Sequence, residues 1–188
     1  MSDLLAVEKS QVYPWQQEVW QRLTSRFPDV GHGLLLYGKQ GCGKHAFAQH
    51  FLAWVLCLQK QPDGACGRCA SCLWLKSDTH PNYVRISTDD DNKKQNAKIK
   101  IEKIRDLLPF VQQTVDGWRV VLIEPAEALN IASANALLKT LEEPGERVMI
   151  ILLAEHYLKL PATVRSRLQH FALDRMTEQQ TVDYLQQH

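Results

Sequence analysis

One glycine-rich stretch, residues 38–44, constrains the fold of this chain more than any other feature. It follows a short apolar run, it contains Gly38, Gly41 and Gly43, and Lys44 opens a segment with apolar residues at helical spacing. A phosphate-binding loop requires this strand–loop–helix order, because glycine backbones let N–H groups wrap phosphate oxygens and the helix N-terminus favours negative charge. Lys44 would reach the outer phosphates. An ordinary glycine-rich turn is the alternative reading.

Apolar runs alternate with amphipathic segments along the rest of the chain. We predict strands around residues 34–37, 83–86, 120–123, 148–153 and 168–173. We predict helices over 15–26, after Lys44 with Phe47, Phe51, Val55 and Leu58 on one face, from Ile101 with a break near Pro109, and over 132–143. This alternation indicates an α/β fold, a parallel sheet flanked by helices on both faces.

The domain organisation follows from the same patterns. We assign residues 1–174 to one nucleotide-binding-fold domain, with a cysteine module at 57–76 inserted in it and a polar, exposed and mobile loop at 87–100. A helical pattern starts at Thr177 with nothing to pack on, so residues 175–188 are interpreted as the truncated beginning of a second domain.

Composition limits the function classes. The net charge of +1 gives little electrostatic attraction for nucleic acid. There is no run of 18 apolar residues that would span a membrane, and residues 1–10 carry no apolar signal core. We therefore expect a cytoplasmic protein that does not hold DNA alone.

Two residues argue against ATP hydrolysis by this chain. After the loop lysine, a magnesium-binding loop carries a Ser or Thr hydroxyl, but this chain has His45. At the end of the third strand, an active ATPase of this fold has two adjacent carboxylates, whereas here Glu124 is followed by Pro125. Glu127 is a candidate replacement that we rank low, because it lies beyond that proline.

Four of the five cysteines have metal-ligand spacing. Cys57, Cys66, Cys69 and Cys72 are separated by eight, two and two residues, and four thiolates suit tetrahedral Zn²⁺ in a closed, structural site. An iron–sulfur cluster is the alternative, but its usual pattern has a later fourth cysteine followed by proline. The fifth, Cys42, is interpreted as a small residue of the phosphate loop.

An arginine pair, Arg165 and Arg167, follows the fourth strand. An arginine at the rim of such a sheet can neutralise charge on the γ-phosphate of a neighbouring subunit. The residues alone favour a surface pair that forms salt bridges instead.

Six motifs in order resemble the bacterial DNA polymerase III clamp-loader subunits, the delta-prime type most closely. They are Tyr13-Pro14-Trp15, residues 38–44, the four-cysteine module, Thr79-His80-Pro81, the string from Asn135 to Pro144, and Arg165-Ser166-Arg167. The resemblance covers nearly the whole chain.

The resemblance implies an AAA+-type domain, then a helical lid domain and a C-terminal collar domain, and we expect the collar to be absent from this sequence. It implies that Arg167 is the arginine finger of a Ser-Arg-Cys triplet, although Leu168 replaces the cysteine. The sensor threonine after the fourth strand is also missing. It further implies motor and delta subunits as partners in a hetero-pentamer, which acts on the sliding clamp and primed DNA. It implies no association with a membrane.

The expected function is therefore a non-hydrolysing stator that contains zinc and binds ATP weakly or not at all. An ATP-hydrolysing motor subunit of the tau/gamma type is the main alternative, because it shares the cysteine module and the Asn-Ala-Leu-Leu-Lys-Thr string. His45 and Pro125 separate the two readings and favour the delta-prime type. A zinc-dependent nucleic-acid binder is a further alternative that the net charge disfavours.

Overall fold

A computed structural model of the chain describes residues 12–88 and 97–173, with Thr177, Gln180, Val182 and Gln186 beyond them. The helices are α1 (Gln17–Arg26), α2 (Lys44–Leu56), α3 (Ala70–Lys76), α4 (Ile101–Arg105), α5 (Leu107–Gln112), α6 (Ile131–Glu142) and α7 (Ala162–Arg165). The strands are β1 (Gly33–Tyr37), β2 (Tyr83–Ile86), β3 (Arg119–Ile123), β4 (Val148–Ala154) and β5 (Gln169–Ala172).

The five strands form one parallel sheet in the order β2-β3-β4-β1-β5. Strands β3 and β4 are buried along their whole length, as expected for continuous apolar runs that are covered on both faces. Because β1 and β3 flank β4, the segments that follow them emerge at the same carboxyl edge of the sheet, one on either side of β4. This topology positions the candidate nucleotide pocket.

Helices cover both faces of the sheet and create two apolar cores. Alternate residues of a strand enter opposite cores: Leu34 and Leu36 pack in the core with α1 and α2, and Leu35 in the core with α4 and α6. Asn130 caps α6 by accepting the backbone N–H of Ser133 at 2.8 Å. The predicted parallel sheet and its helices are confirmed.

Two details of the predicted elements were wrong. The helical break after Ile101 falls at Asp106 rather than near Pro109, because Pro109 lies in the first turn of α5, where its missing N–H is not needed. Helix α2 ends at Leu56, so Leu58 lies outside it and is exposed.

Two predictions fall largely outside the described residues. The polar loop at 87–100 is described only at its ends, where Ile99 forms a bridge with Leu129. The second domain from residue 175 is described only at four positions, and the boundary at 174 remains a prediction. No helix within the described ranges has the length and apolarity needed to cross a membrane.

Candidate functional site

The glycine-rich loop lies at the carboxyl edge of the sheet, between β1 and α2. Gly41 and Gly43 have φ angles of +84° and +80°, a left-handed conformation that favours glycine. The loop therefore has its predicted place and a conformation that only glycine adopts easily. The Lys44 ammonium donates to the carbonyl of Lys39 at 3.3 Å, so it folds back over the loop.

The segment before α1 braces this loop. The Trp15 indole and the buried Gln16 amide both donate to the carbonyl of Cys42, at 3.4 and 3.0 Å. The Tyr13 ring stacks on Trp15 with centroids 4.8 Å apart and covers Gly43, where a Cβ atom would lie 2.8 Å from the ring. Tyr13 and Trp15, which entered the sequence argument only as a motif, thus support the phosphate loop.

His45 directly contacts the acid at the end of β3. Its Nδ1 atom lies 2.7 Å from Glu124 Oε2, and Arg85 Nη2 lies 3.4 Å from the same oxygen. Mg²⁺ demands about six oxygen ligands at about 2.1 Å and gives up its water reluctantly. An imidazole in contact with the carboxylate leaves no space between them for a hydrated ion. The residues present do not fit magnesium.

Glu127, which the sequence offered as a replacement for the second carboxylate, instead accepts backbone hydrogen bonds. Its Oε1 atom accepts the backbone N–H groups of Glu155 and His156, both at 2.5 Å, just after β4. The carboxylate therefore holds the turn that directly follows β4. This contact argues against Glu127 as the second carboxylate of a hydrolytic pair.

The four predicted cysteine ligands come together. Their Sγ atoms all lie within 4.8 Å of one another, with 3.9 Å between Cys57 and Cys69, 4.0 Å between Cys66 and Cys72, and 3.4 Å between Cys69 and Cys72. Four thiolates at about 2.3 Å from a tetrahedral ion would be about 3.8 Å apart. The cluster could therefore bind a metal ion. Cys42 is buried in the loop.

Backbone hydrogen bonds prepare part of this cluster for a metal. The N–H groups of Gln59 and Cys66 both donate to Cys57 Sγ at 3.3 Å. Burial works to raise the pKa of Cys69, but hydrogen bonds from the backbone N–H groups of Cys72 and Leu58 outweigh it and lower that pKa to about 6. Burial raises the pKa of Cys72. The thiolate that metals bind is thus favoured at one ligand before any ion arrives.

A buried hydrogen-bond chain connects the cysteine module to the sheet. Ser71 donates to the carbonyl of Leu56 at 2.7 Å, and its hydroxyl lies 2.8 Å from His80 Nε2. The N–H of Asn82 donates to His80 Nδ1 at 3.0 Å, so Nε2 carries the proton and donates to Ser71. The His80 of the Thr79-His80-Pro81 motif therefore anchors α3 to the segment before β2.

Arg167 lies at the opposite edge of the sheet from the phosphate loop. Its carbonyl would be 3.2 Å from a Cβ atom on Gly33, the first residue of β1. Its guanidinium contacts Glu142 Oε1 through Nη2 at 2.6 Å and Nε at 2.8 Å, and Nη1 donates to the carbonyl of Thr163 at 2.8 Å. A strand of five residues spans about 16 Å, which separates the two edges.

The neighbours of Arg167 have structural roles. The Arg165 guanidinium carbon lies 6.0 Å from the centroid of the Tyr157 ring. Leu168 is buried against β1. Of the two arginines, Arg167 has the more exposed position.

Sequence reasoning missed the residues that complete these sites. Arg85, Gln16 and Ser71 all act through contacts with residues in other segments of the chain. For Arg85 the available signal was a basic residue near the end of a strand, which becomes informative only once β2 is known to pair with β3.

Comparisons with known proteins agree on one family. A family model described as "DNA polymerase III, delta subunit" matches residues 15–177. The delta-prime subunit of Pseudomonas aeruginosa is 42% identical over 158 residues, which is 83% of this chain and 47% of that protein. The Escherichia coli delta-prime subunit is 30% identical over 92% of this chain and 52% of its own length. The chain thus spans about half the length of these relatives.

More distant similarities agree with the fold. The tau subunit of Bacillus subtilis is 34% identical over 80% of this chain and 26% of its own length. A DNA polymerase III gamma subunit-related protein of Thermotoga maritima has a TM-score of 0.57 at 17% identity and covers 92% of this chain and 49% of its own. A mutant of the T. maritima RuvB protein has a TM-score of 0.54 at 16% identity, over 96% and 48%. The fold is of the AAA+ phosphate-loop type.

Proposed function

Because the chain belongs to the DNA polymerase III delta-prime family of clamp-loader subunits, we propose that it is the non-hydrolysing stator of a bacterial clamp loader. It packs beside an ATP-loaded motor subunit and presents Arg167 to that subunit's γ-phosphate. With motor and delta subunits it forms a hetero-pentamer that loads the sliding clamp on primed DNA in the cytoplasm. A net charge of +1 is consistent with DNA contact through the whole complex.

The contact between His45 and Glu124 is the observation that carries the non-hydrolysing role. Hydrolysis in this fold needs a metal ion on the phosphates and a carboxylate to orient the attacking water. The His45 imidazole lies 2.7 Å from one oxygen of the Glu124 carboxylate, so that oxygen already has a partner within the chain. Glu127, the remaining candidate, holds backbone N–H groups after β4.

The position of Arg167 supports a role towards a neighbouring subunit. It lies about 16 Å, the length of a strand, from its own phosphate loop. Its ion pair with Glu142 is exposed on both sides, and such a pair contributes only about 0–1 kcal/mol. A γ-phosphate on an adjacent subunit could therefore replace Glu142 as its partner at little cost in free energy.

We propose that the cysteine cluster holds a structural zinc ion. Cys57, Cys66, Cys69 and Cys72 would supply all four ligands, and zinc would fix the short segment between α2 and α3. The hydrogen bonds between Ser71, His80 and Leu56 then attach this segment to the sheet.

The motor subunit is the second candidate, since the B. subtilis tau subunit is 34% identical. A motor should turn over Mg-ATP, and Lys44→Ala should abolish that turnover. Lysine-dependent hydrolysis by the purified chain would favour this candidate over the stator.

Replacing Arg167 with alanine in a loader reconstituted with motor and delta subunits tests the stator proposal. We expect single-turnover hydrolysis at the adjacent motor site to slow by about 10³-fold, because an arginine finger stabilises the transition state by that order. ATP binding by the motor should persist.

Arg105→Ala is the matched control, since Arg105 is an exposed arginine on α4. A loader that contains this variant should hydrolyse ATP and load clamps like the wild-type loader. Wild-type hydrolysis and clamp loading with Arg167→Ala would rule out the finger role.

A further inference from the structure

We infer that Glu142 is a positioning residue for Arg167, which holds the guanidinium in one conformation for the neighbouring subunit. The inference rests on the proposed stator function and assigns the contact that keeps its arginine in place. It starts from the length and exposure of the Arg167 side chain. An exposed arginine without contacts adopts many rotamers, and ordering it at the moment of reaction would cost conformational entropy.

Three short contacts fix the guanidinium of Arg167. The Oε1 atom of Glu142 accepts a hydrogen bond from Nε at 2.8 Å and lies 2.6 Å from Nη2. The carbonyl of Thr163 accepts from Nη1 at 2.8 Å. A guanidinium has five N–H groups, so each terminal nitrogen keeps an N–H group for another acceptor. A phosphate therefore need not displace Glu142 in order to bind Arg167.

The helix that carries Glu142 is fastened to the sheet at this point. Glu142 is the last residue of α6, and the carbonyl of Leu141 beside it accepts a hydrogen bond from His32 Nε2 at 2.7 Å. His32 directly precedes β1, and its own carbonyl accepts the N–H of Ile150 in β4 at 2.7 Å. The last turn of α6 therefore has a defined position relative to β1.

The backbone of Arg167 lies against the first residue of the same strand. A Cβ atom on Gly33 would be 3.2 Å from the carbonyl of Arg167. It would also be 2.9 Å from the Leu168 side chain and 3.4 Å from the Leu141 side chain. The absence of a side chain at Gly33 thus lets both segments approach β1 closely. Because His32 and Gly33 are adjacent, the arginine and its carboxylate partner are both positioned against the start of β1.

Positioning accounts for this ion pair better than stability does. The side chains of Arg167 and Glu142 are 36% and 51% exposed, and water screens such a pair strongly. Ordering a flexible side chain does not require a strong pair, because it only has to favour one rotamer over the others. Displacing a reacting group by about 1 Å can lower a rate by about 100-fold. A weak contact can therefore have a large effect on hydrolysis by the neighbour.

Single-turnover hydrolysis by a loader reconstituted with variants of this chain tests the inference. Glu142→Ala should slow hydrolysis at the adjacent motor site about tenfold, with unchanged ATP binding by the motor, because Arg167 then spends most of its time in other rotamers. Glu142→Gln should keep the wild-type rate, because its amide oxygen can accept the same N–H groups. Glu143→Ala, which removes the next exposed acid on the chain, is the matched control and should also keep the wild-type rate.

An NMR measurement on the purified chain detects the contact without the loader. The Nε–H signal of Arg167 is identified by its absence from the spectrum of Arg167→Ala. Its slow exchange with water should be present in the wild type and in Glu142→Gln and lost in Glu142→Ala. Thermal unfolding curves that coincide for these variants show that the fold is unchanged.

The inference would be overturned if Glu142→Ala kept or exceeded the wild-type rate in a loader that Arg167→Ala slows. Equal slowing by Glu142→Ala and either Glu142→Gln or Glu143→Ala would also overturn it, as would rapid Nε–H exchange in the wild type. If Arg167→Ala itself leaves hydrolysis unchanged, the stator proposal fails instead. Nε–H exchange still decides in that case whether Glu142 holds Arg167, so the two failures are distinguishable.

Discussion

His45 and Glu124 are 79 residues apart in the chain, yet their side chains touch. The sequence predicted that each of them damages a hydrolytic site, because the residue type at each position is visible in the motif. It could not predict their contact. That contact depends on β1 and β3 lying on either side of β4, and on Glu124 following β3 directly. The two departures seen in the sequence, at residues 45 and 124–125, therefore meet in one side-chain contact.

The conformation of the loop also depends on the absence of a side chain at Gly43. We predict that Gly43→Ala lowers the free energy of unfolding by about 2–4 kcal/mol, measured in urea. Its φ angle of +80° disfavours alanine, and the new Cβ atom would lie 2.8 Å from the Tyr13 ring, which the stacking on Trp15 holds in place.

Gly41→Ala is the matched control, because its φ angle of +84° is similar but nothing lies within 4 Å of the added atom. It should cost only the backbone strain, about 1–2 kcal/mol. Adding Tyr13→Ala to Gly43→Ala should recover much of the difference. Equal losses in the two glycine variants would show that the Tyr13 contact is unimportant.

The cysteine module was the most predictable element. Cys66, Cys69 and Cys72 follow from spacing, because cysteines with two residues between them can point at one ion. The break between α4 and α5 was less predictable, since a proline can either end a helix or occupy its first turn. Leu58 was also misleading, because it continues the helical spacing of α2 although the helix ends at Leu56. The next residue, Cys57, has an extended backbone and belongs to the cysteine cluster.

Metal analysis of cysteine variants tests the module. We predict about one zinc ion per chain, colourless in visible light, and its loss in Cys69→Ser with a lower unfolding temperature. Cys42→Ala is the control, because Cys42 is buried in the phosphate loop away from the cluster. A coloured protein that contains iron, or full zinc content in Cys69→Ser, would contradict the assignment.

The attachment of this module should depend on pH through His80. Burial lowers the pKa of His80 in the folded protein, and protonation of Nδ1 would remove the hydrogen bond from Asn82. As the pH falls below about 6.5, the unfolded chain takes up a proton that the folded chain resists. Stability should therefore be lost on acidification, by up to about 1.4 kcal/mol per pH unit, down to the lowered folded pKa.

Urea unfolding between about pH 8 and pH 5.5 measures this effect as the difference between the wild type and His80→Gln. Both proteins carry the same cysteines, so acid effects on the cluster cancel in the difference. If the two stability curves stay parallel across this range, His80 does not control the attachment.

On the scale of the whole molecule, the phosphate loop and Arg167 lie on opposite edges of one parallel sheet. The order of strands and helices in the sequence predicted the sheet. Because the loop follows β1 and Arg167 precedes β5, the two then lie at opposite edges of that sheet. Sequence could not supply the contacts at each edge, such as Glu142 on Arg167 or Arg85 on Glu124, because these form between elements distant in the chain.

This separation predicts that only the edge with Arg167 controls hydrolysis by a neighbouring motor subunit. Lys44→Ala should leave hydrolysis by that motor subunit at the wild-type rate. Arg167→Ala should slow it, because Arg167 is exposed and lies beside Gly33, at the end of β1 away from the phosphate loop. Single-turnover hydrolysis by the reconstituted loader measures both effects. Slower motor hydrolysis with Lys44→Ala would mean that this chain's own nucleotide pocket controls its neighbour, and the sheet would then have to transmit that signal from one edge to the other.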